Sequence, residues 1–523
     1  MTYSVVWFKR DLRVHDHAPL NAAAQQGPLL CLYVIEPSLW QQPDAATQHY
    51  HFIRESLQAL DGQLQALGAR LHVAVGEAVD VLAALHAHAP FAALHAHEET
   101  GNALTYERDR ALARWCRSHG VAWREWPQFG VARGLRDRNR WSAHWEQHMQ
   151  QAQVAAPERL IPPTVLAPGV LPLTHTPWPR PAALGLDPSE PPRRQRGGRA
   201  RAQAVLHDFW HDRCERYRGG ISSPLSAPDA CSRLSPHLAY GCLSLREVVQ
   251  GTRRQLQLTD PALRRHRMGL QAFMSRLYWH CHFIQKLESE PELEWRNLHR
   301  GYDGLREHVH NPAHLQALMD GRTGWPMVDA CVAMLRETGW LNFRMRAMLV
   351  SVAAYPLWLH WREVGQWLAR QFLDYEPGIH WSQMQMQSGT TGINTTRVYN
   401  PIKQAQDHDP QGRFVRRWLP AMRRVPETWL FEPWRMPDDV QRRCGLQPGV
   451  DLPVPLVDLD SATRRAKERV YALRHDPQVR AAKAEVLERH GSRRHSATAT
   501  GKRRRSAART ARDAAPDQLT LDL

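Results

Sequence analysis

The stretch Ser4-Val5-Val6-Trp7-Phe8-Lys9-Arg10-Asp11-Leu12-Arg13-Val14-His15-Asp16 opens the chain with an apolar run and then delivers three cations and two carboxylates. A short apolar run ending in charge is the pattern of a buried strand that hands a loop to one edge of a sheet. The pattern recurs at residues 29–35, 71–75, 91–96 and 121–126, with helical stretches between. Residues 49–68 place Phe52, Ile53, Leu57, Leu60, Leu64 and Leu67 on one face before Gly68 ends the helix, as a helix covering a sheet should. The rhythm predicts a parallel, doubly wound α/β domain over residues 1–130. At the carboxyl edge of such a sheet the loop 9–16 can bind a ligand or can be a structural ion-pair cluster.

Beyond residue 130 the composition changes. Residues 156–192 hold 11 of the 37 prolines and are followed by Arg193-Arg194-Gln195-Arg196-Gly197-Gly198-Arg199. That composition blocks helices and central strands, so residues 131–205 are expected to be an inter-domain connector. From 206 to 490 strand signals nearly vanish and helical periodicity dominates, with ends marked by Gly241, Gly251, Gly339 and Pro401, which predicts an all-α second domain. Residues 491–523 are rich in Ala, Ser, Thr and Arg without an apolar period, which predicts a disordered basic tail. No repeat of solenoid length is present.

At 523 residues the chain is long enough for two or more packed units. Its 68 basic and 52 acidic residues leave a net charge of +16, which favours a polyanionic partner such as nucleic acid. No apolar run approaches the roughly 20 residues that span a bilayer, so a cytoplasmic protein with no membrane association is expected. The 8 cysteines form no CxxC pair, which argues against a disulfide framework or zinc ribbon, and no metal site is expected. Many of the 20 tryptophans stand in polar contexts, where the indole either serves a site or caps helix interfaces.

Two further stretches can carry chemistry. Cys231-Ser232-Arg233-Leu234-Ser235-Pro236-His237-Leu238 puts two hydroxyls and a guanidinium at a helix start, which suits phosphate oxygens or an ordinary N-cap. Thr323-Gly324-Trp325-Pro326-Met327-Val328-Asp329-Ala330, followed by Thr338-Gly339-Trp340-Leu341-Asn342-Phe343-Arg344-Met345-Arg346, pairs arginines at i, i+2 with flanking aromatics. Such a set holds a flat anionic molecule or a nucleic-acid backbone, or is the charged surface of a core helix.

In order and spacing, residues 7–16, 231–244 and 323–346, with Arg397-Val398-Tyr399-Asn400-Pro401 downstream, resemble the DNA photolyase and cryptochrome family over residues 2 to about 425. The family patterns are FxRDLRxxD, TSRLSPYLxxGxLS and TGxPxVDAxMRxLxxTGxxHNRxR. The resemblance implies an α/β domain that often carries an antenna pigment, a helical domain that holds FAD, and light-driven repair of pyrimidine dimers in DNA by a deoxyribodipyrimidine photolyase-like lyase. Carried over by position, it implies FAD contacts at Tyr217, Ser232, Arg233, Leu234, Ser235, Arg344, Arg346, Asp374, Glu376 and His380. It implies DNA contacts at Trp279, His280, Arg344, Met386 and Arg397. An acid within reach of the flavin can accept N3–H, and a nearby cation stabilises the anionic reduced ring.

The chain also departs from the family pattern. Residues 269–288 read as a helix with one apolar stripe, Leu270, Phe273, Met274, Leu277, Cys281 and Ile284, and a second face with Arg276, Trp279, His280 and Phe283. The second face resembles the lesion-facing surface, with Trp279 as the stacking wall for an extruded base. Arg276 stands where dimer photolyases have a glutamate; a guanidinium there either stabilises an electron on the lesion or contacts phosphate. Phe343 replaces the family asparagine, and the histidines that mark (6-4) photolyases are missing, so that specificity is not expected. His380 stands where an asparagine faces flavin N5, giving Arg276, Trp279 and His380 as the catalytic candidates.

Of three relay tryptophans only Trp361 is matched, with Leu318 and Met384 at the other positions. Trp325, Trp340, Trp358, Trp367 and Trp381 offer a different relay or are packing residues. After Cys331 only Cys444 remains, too few for a four-cysteine cluster there. Residues 97–102 and 106–109 fall where antenna contacts lie, and a second chromophore of folate or deazaflavin type stays open. The final Gln518-Leu519-Thr520-Leu521-Asp522-Leu523 resembles the peptide that binds the bacterial sliding clamp. The expected activity is repair of a flipped dimer in damaged DNA by an electron from reduced FAD. The alternative is a cryptochrome-like photoreceptor that binds FAD without repair.

Overall fold

The computed structural model describes residues 2–164, 178–393 and 397–490. The tail 491–523, with the clamp-like hexapeptide Gln518 to Leu523, lies outside the described residues. Five strands, β1 (Ser4–Phe8), β2 (Leu29–Ile35), β3 (Leu71–Val75), β4 (Ala93–His97) and β5 (Ala122–Trp126), form one parallel sheet in the order β3-β2-β1-β4-β5. Ser4 pairs with Leu29 on one side of β1 and with Ala93 on the other. The order reverses at β1, so the loops after β1 and β4 diverge at their carboxyl ends and leave a crevice there.

Alternate residues of β1 face different cores. Val5 and Trp7 pack with Leu30, Leu32, Leu82 and Leu112. Val6 and Phe8 pack with Phe52 and Leu57 of the helix Thr47–Ala66, in a cluster that runs on through Leu238, Leu245, Leu270 and Leu277 of the helical part. One continuous apolar core therefore spans the sheet and the front of the helical domain. A second core, with Trp325, Leu335, Leu349, Trp361 and Trp381, holds the rest of the helices together.

The connector is more ordered than its composition suggests. A helix forms at Trp141–Gln150, where Trp141, Trp145 and Met149 recur at helical spacing and are buried. Its residues precede the proline-rich stretch, and a second helix, Arg199–Asp208, begins inside the expected connector after that stretch, so the rule that excludes helices applies to residues 156–192.

The long helix Arg264–Ser289 carries the middle of the second domain. Leu270, Phe273, Leu277, Cys281 and Ile284 are buried along one side. Two glycines let neighbours approach its backbone: a Cβ on Gly269 would lie 1.7 Å from the Cys214 carbonyl oxygen, and one on Gly378 would lie 2.6 Å from Ile284 Cα. The helices Phe343–Ala354, Trp361–Gln371 and Pro377–Ser388 complete the frame around a hollow beside this helix. Among the described residues no helix is long and apolar enough to cross a membrane.

Candidate cofactor site

The hollow has a volume of about 740 Å³. Its walls are His280 of the long helix, Phe343 and Arg346 of the next wall helix, the segment from Phe372 to Glu376, and His380, Gln383 and Gln387 of Pro377–Ser388. Ala239, Ala347, Val350, Ile379 and Met384 supply apolar surface, and Ser235 closes one end. An apolar chamber with a few convergent polar groups is the usual form of a cofactor pocket.

The segment 372–376 owes its shape to its ends. Phe372 caps the preceding helix, and Pro377 at the first helical position starts the next one. Between them Asp374 meets Arg346 in a two-pronged pair, with Nη1 donating to Oδ1 at 2.9 Å and Nη2 to Oδ2 at 3.0 Å. Arg346 Nε donates to the Leu341 carbonyl at 2.7 Å, and its guanidinium lies 4.1 Å from the Phe372 ring centre. Burial alone would raise the Asp374 carboxyl, but Arg346 and the Ser235 hydroxyl hold it below the ordinary carboxylate range.

Glu376 is in a different state. Its Oε2 pairs with Arg10 Nη2 at 3.0 Å, while Oε1 is buried without a hydrogen-bond partner among the described residues. Burial pushes this carboxyl up to about 7, with Arg10 opposing only part of the rise. Arg10 also donates to the carbonyls of Ala239 and Tyr375, so the loop after β1 clamps the cavity floor.

His380 is buried, and its Nε2 lies 2.9 Å from the Gly365 carbonyl. Burial lowers it to about 4, so the ring is neutral at pH 7. A carbonyl can only accept, so the proton sits on Nε2 and Nδ1 is left as an acceptor. His280 is likewise lowered to about 4 by burial and packs 5.1 Å from the Phe129 ring.

The site thus brings Ser235, Arg346, Asp374, Glu376 and His380 of the expected FAD contacts onto one cavity, with His280 of the expected DNA contacts. The others do not line it. Tyr217 is buried and hydrogen-bonded to Arg276. Ser232 gives its carbonyl to Arg213. Arg233 takes a left-handed φ of 59° and lies 3.8 Å over the Trp340 ring, where burial lowers it to about 10. Leu234 is a core residue. Arg344 stands near His408 on another side of its helix, Met386 is half-buried, and Arg397 is exposed.

The expected lesion face also divides. Trp279 stands half-buried against His282 (4.8 Å) and Phe283 (5.4 Å) beside the cavity, and Arg276 turns away to Tyr217. Trp279 is one position, about 100° of rotation, from His280 and so faces away from the cavity, whereas Arg276 shares the His280 side one turn earlier and is held off by its bond to Tyr217. Trp361 is buried with its indole N–H donated to Asn297 Oδ1 at 2.8 Å. Its ring lies 5.9 Å from Trp381, which lies 4.9 Å from His380. Trp381 thus sits one helical turn from Met384 and connects Trp361 to the cavity wall.

The residues present fit FAD. A flat ring with N–H and carbonyl edges would meet an apolar chamber, a fixed Arg346–Asp374 pair, and two acceptors, Glu376 Oε1 and His380 Nδ1, that have no protein donor among the described residues. The clamp by Arg10 and the approach of Trp381 were not read from the sequence, although Arg10 stands in the opening motif.

A second cavity, of about 880 Å³, opens at the carboxyl ends of β1, β2 and β4. Tyr33, Trp40 and Tyr240 line it together with the charged set Lys9, Glu99 and Arg108. Lys9 pairs with Asp109 at 2.6 Å and Arg108 with Glu36 at 2.8 Å. Nearby, Asp11, His17 and His97 lie in metal-ligating reach of one another. His17 Nδ1 accepts the Leu20 N–H, so its Nε2 carries the proton and donates to Asp11 at 2.9 Å. That tautomer ties the cluster together by hydrogen bonds and leaves Nε2 without a lone pair for a cation.

Two family profiles match the chain: one described as DNA photolyase over residues 4–128 and one described as FAD binding domain of DNA photolyase over residues 273–472. Cryptochrome DASH of Gloeobacter violaceus is 28% identical over 492 residues, covering 89% of this chain and 95% of that protein. Deoxyribodipyrimidine photo-lyase of Streptomyces griseus is 28% identical over 479 residues, covering 89% of this chain and 98% of that protein. The crystal structure of a bacterial class III photolyase from Agrobacterium tumefaciens superimposes with a TM-score of 0.78 at 24% identity, covering 91% of this chain and 98% of that one.

Proposed function

The chain belongs to the DNA photolyase and cryptochrome family and carries its FAD-binding domain, and from that premise we propose that it is a light-driven repair enzyme for pyrimidine dimers in DNA. The observation that carries this reading is the convergence of Arg346, Asp374, Glu376 and His380 on one largely apolar cavity. Ser235, Arg346, Asp374, Glu376 and His380 would hold FAD, which when bound supplies a reduced ring that light excites to give and recover one electron. Arg346 and Asp374 fix each other so that neither turns when charge develops nearby. His380 accepts a proton-bearing edge through Nδ1 and, being neutral, adds no repulsion to Arg346. The apolar walls exclude water, which strengthens each of these contacts.

The net charge of +16 supports attraction to a nucleic-acid backbone. Trp279, half-buried beside His280, is proposed as the stacking residue for an extruded base. Purified reduced protein illuminated with DNA carrying a defined cyclobutane dimer is expected to remove the lesion. Trp279→Ala is expected to lose about 1–3 kcal/mol of its preference for damaged over intact DNA, measured by competition binding. Equal weakening on both DNAs would reject the stacking role. No loss of lesion by a flavin-loaded sample would favour the photoreceptor reading, which draws on Arg276 being tied to Tyr217 and on Phe343 standing in the cavity wall.

The second cavity is proposed as the place of an antenna chromophore, of folate or deazaflavin type. Trp381 and Trp361 are proposed as the relay that returns electrons to the flavin. Trp381→Phe is expected to slow light-driven flavin reduction severalfold without changing flavin content or the visible spectrum. An unchanged rate, followed by absorbance under constant illumination with a thiol, would exclude that route.

A further inference from the structure

Three hollows adjoin one another, the cofactor cavity and the sheet-edge cavity also sharing Tyr375. The cofactor cavity meets a small polar chamber lined by Arg10, His97, Glu98, Thr100, Gln128 and Glu376 among others. Among the described residues, Glu376 is the one that lines both. The chamber in turn shares Lys9, Arg10 and Glu99 with the second cavity at the edge of the sheet. It has polar partners and room for about one ordered water.

Glu376 is built as a gate between these spaces. Arg10 holds Oε2, so the carboxyl does not swing away, and Oε1 is buried with no hydrogen-bond partner among the described residues. A buried carboxyl oxygen left unsatisfied is costly unless it gains a proton or a donor. The charged and titratable groups around it are Lys9, Arg10, His97, Glu98 and Glu99 from the sheet domain and Tyr240, His280, Cys281, Arg346, Asp374, Tyr375 and His380 from the helical domain, of which Tyr240, Cys281 and Tyr375 are pushed up by burial and stay protonated. His280, His380 and His97 are neutral through burial, lowered to about 4, about 4 and about 3. Asp374 stays ionised on Arg346, and Glu99 is held down to about 2 because Lys9 and Arg108 outweigh its burial. Burial also raises Glu98, which lines the chamber and not the cofactor cavity; Glu376, pushed up to about 7, is the acid of the cofactor-cavity wall nearest to neutral pH.

We propose that Glu376 is the proton donor and acceptor of the cofactor cavity, and that the polar chamber behind it carries its proton exchange with solvent in the sheet-edge cavity. The proposal rests on FAD occupying the cofactor cavity. With FAD bound and an added thiol supplying the electron under light, Glu376 would give up its O–H proton to a nitrogen of the reduced ring. The carboxylate left behind is held by Arg10 until water in the chamber returns a proton.

The test is light-driven reduction of the flavin-loaded protein with a thiol between pH 6 and 8.5, in wild type, Glu376→Gln, Glu376→Asp and Thr100→Val. Flavin content, infrared difference bands of protonated carboxyls and proton uptake by an indicator dye are read on each sample. In wild type a protonated-carboxyl band is expected to disappear on reduction, and the rate of ring protonation to fall about tenfold per pH unit above the carboxyl's midpoint. Glu376→Gln is expected to lack the band and to protonate slowly at every pH, Glu376→Asp to restore a shifted profile, and Thr100→Val to slow proton uptake from solvent while sparing the first protonation. A flavin-loaded Glu376→Gln with the wild-type band and pH profile would overturn the assignment. If Glu376→Gln fails to hold flavin, a wild-type profile in Glu376→Asp together with normal uptake in Thr100→Val would overturn it equally. Absence of flavin from wild type itself would reject the cofactor reading on which it stands.

Discussion

Asp374→Ala is expected to cost about 3 kcal/mol or more of stability and to release most of the flavin on dialysis. Among the described residues Asp374 is the sole carboxylate bonded to Arg346, whose other contacts there are a carbonyl and the Phe372 ring. Removing one member of a largely buried ion pair leaves the other charge unpaired, which costs roughly 3–5 kcal/mol. The Arg346 side chain is 22% exposed, so solvent recovers part of this and the lower end applies. Because the stranded charge is the source of the damage, the double variant Arg346→Ala/Asp374→Ala should be less destabilised than the sum of the two single variants. Denaturant midpoints of the apo and flavin-loaded forms check this. Additive losses would show that the pair does not act as a unit.

Gly269→Ala is expected to be at least as damaging for a different reason. The added methyl would land 1.7 Å from the Cys214 carbonyl oxygen, so backbone must move against backbone. Overpacking of a tight core costs about 1–3 kcal/mol when side chains can yield, and more than about 3 kcal/mol is expected here because none is in the way. The long helix would shift, and with it His280 in the cavity wall. Gly62→Ala is the control: nothing lies within 4 Å of its added Cβ in the helix Thr47–Ala66, and a gain of about 0.5–1 kcal/mol is expected from helix propensity. Chemical denaturation of both variants decides the matter, and equal small effects would show that the contact relaxes easily.

The fold was legible because the signals were local. Apolar runs ending in charge became β1 to β5 within a residue or two, and the 264–289 helix follows the stripe of Leu270, Leu277 and Ile284. The helix Trp141–Gln150 is hidden because the prolines farther along dominate the composition of the connector. The site was partly legible. The motif positions of Arg346, Asp374, Glu376 and His380 brought them together as a set, but helical spacing could not say which of Arg276, Trp279 and His280 turns into the hollow. That depends on how Pro377–Ser388 crosses the long helix, a tertiary fact. The bond from Arg10 to the Tyr375 carbonyl joins residues 365 positions apart, and no periodicity encodes it. Trp381 was one of five tryptophans in the running, and only its distances to His380 and Trp361 separate it from the others.

Val6, Phe8, Phe52 and Leu57 lean on the same apolar mass as Leu238, Leu245 and Leu270. A gene cut between the sheet and the helices would therefore yield two sticky halves, each with a raw greasy wound where the other had been. The sheet and the flavin-bearing helices therefore share one fate on heating.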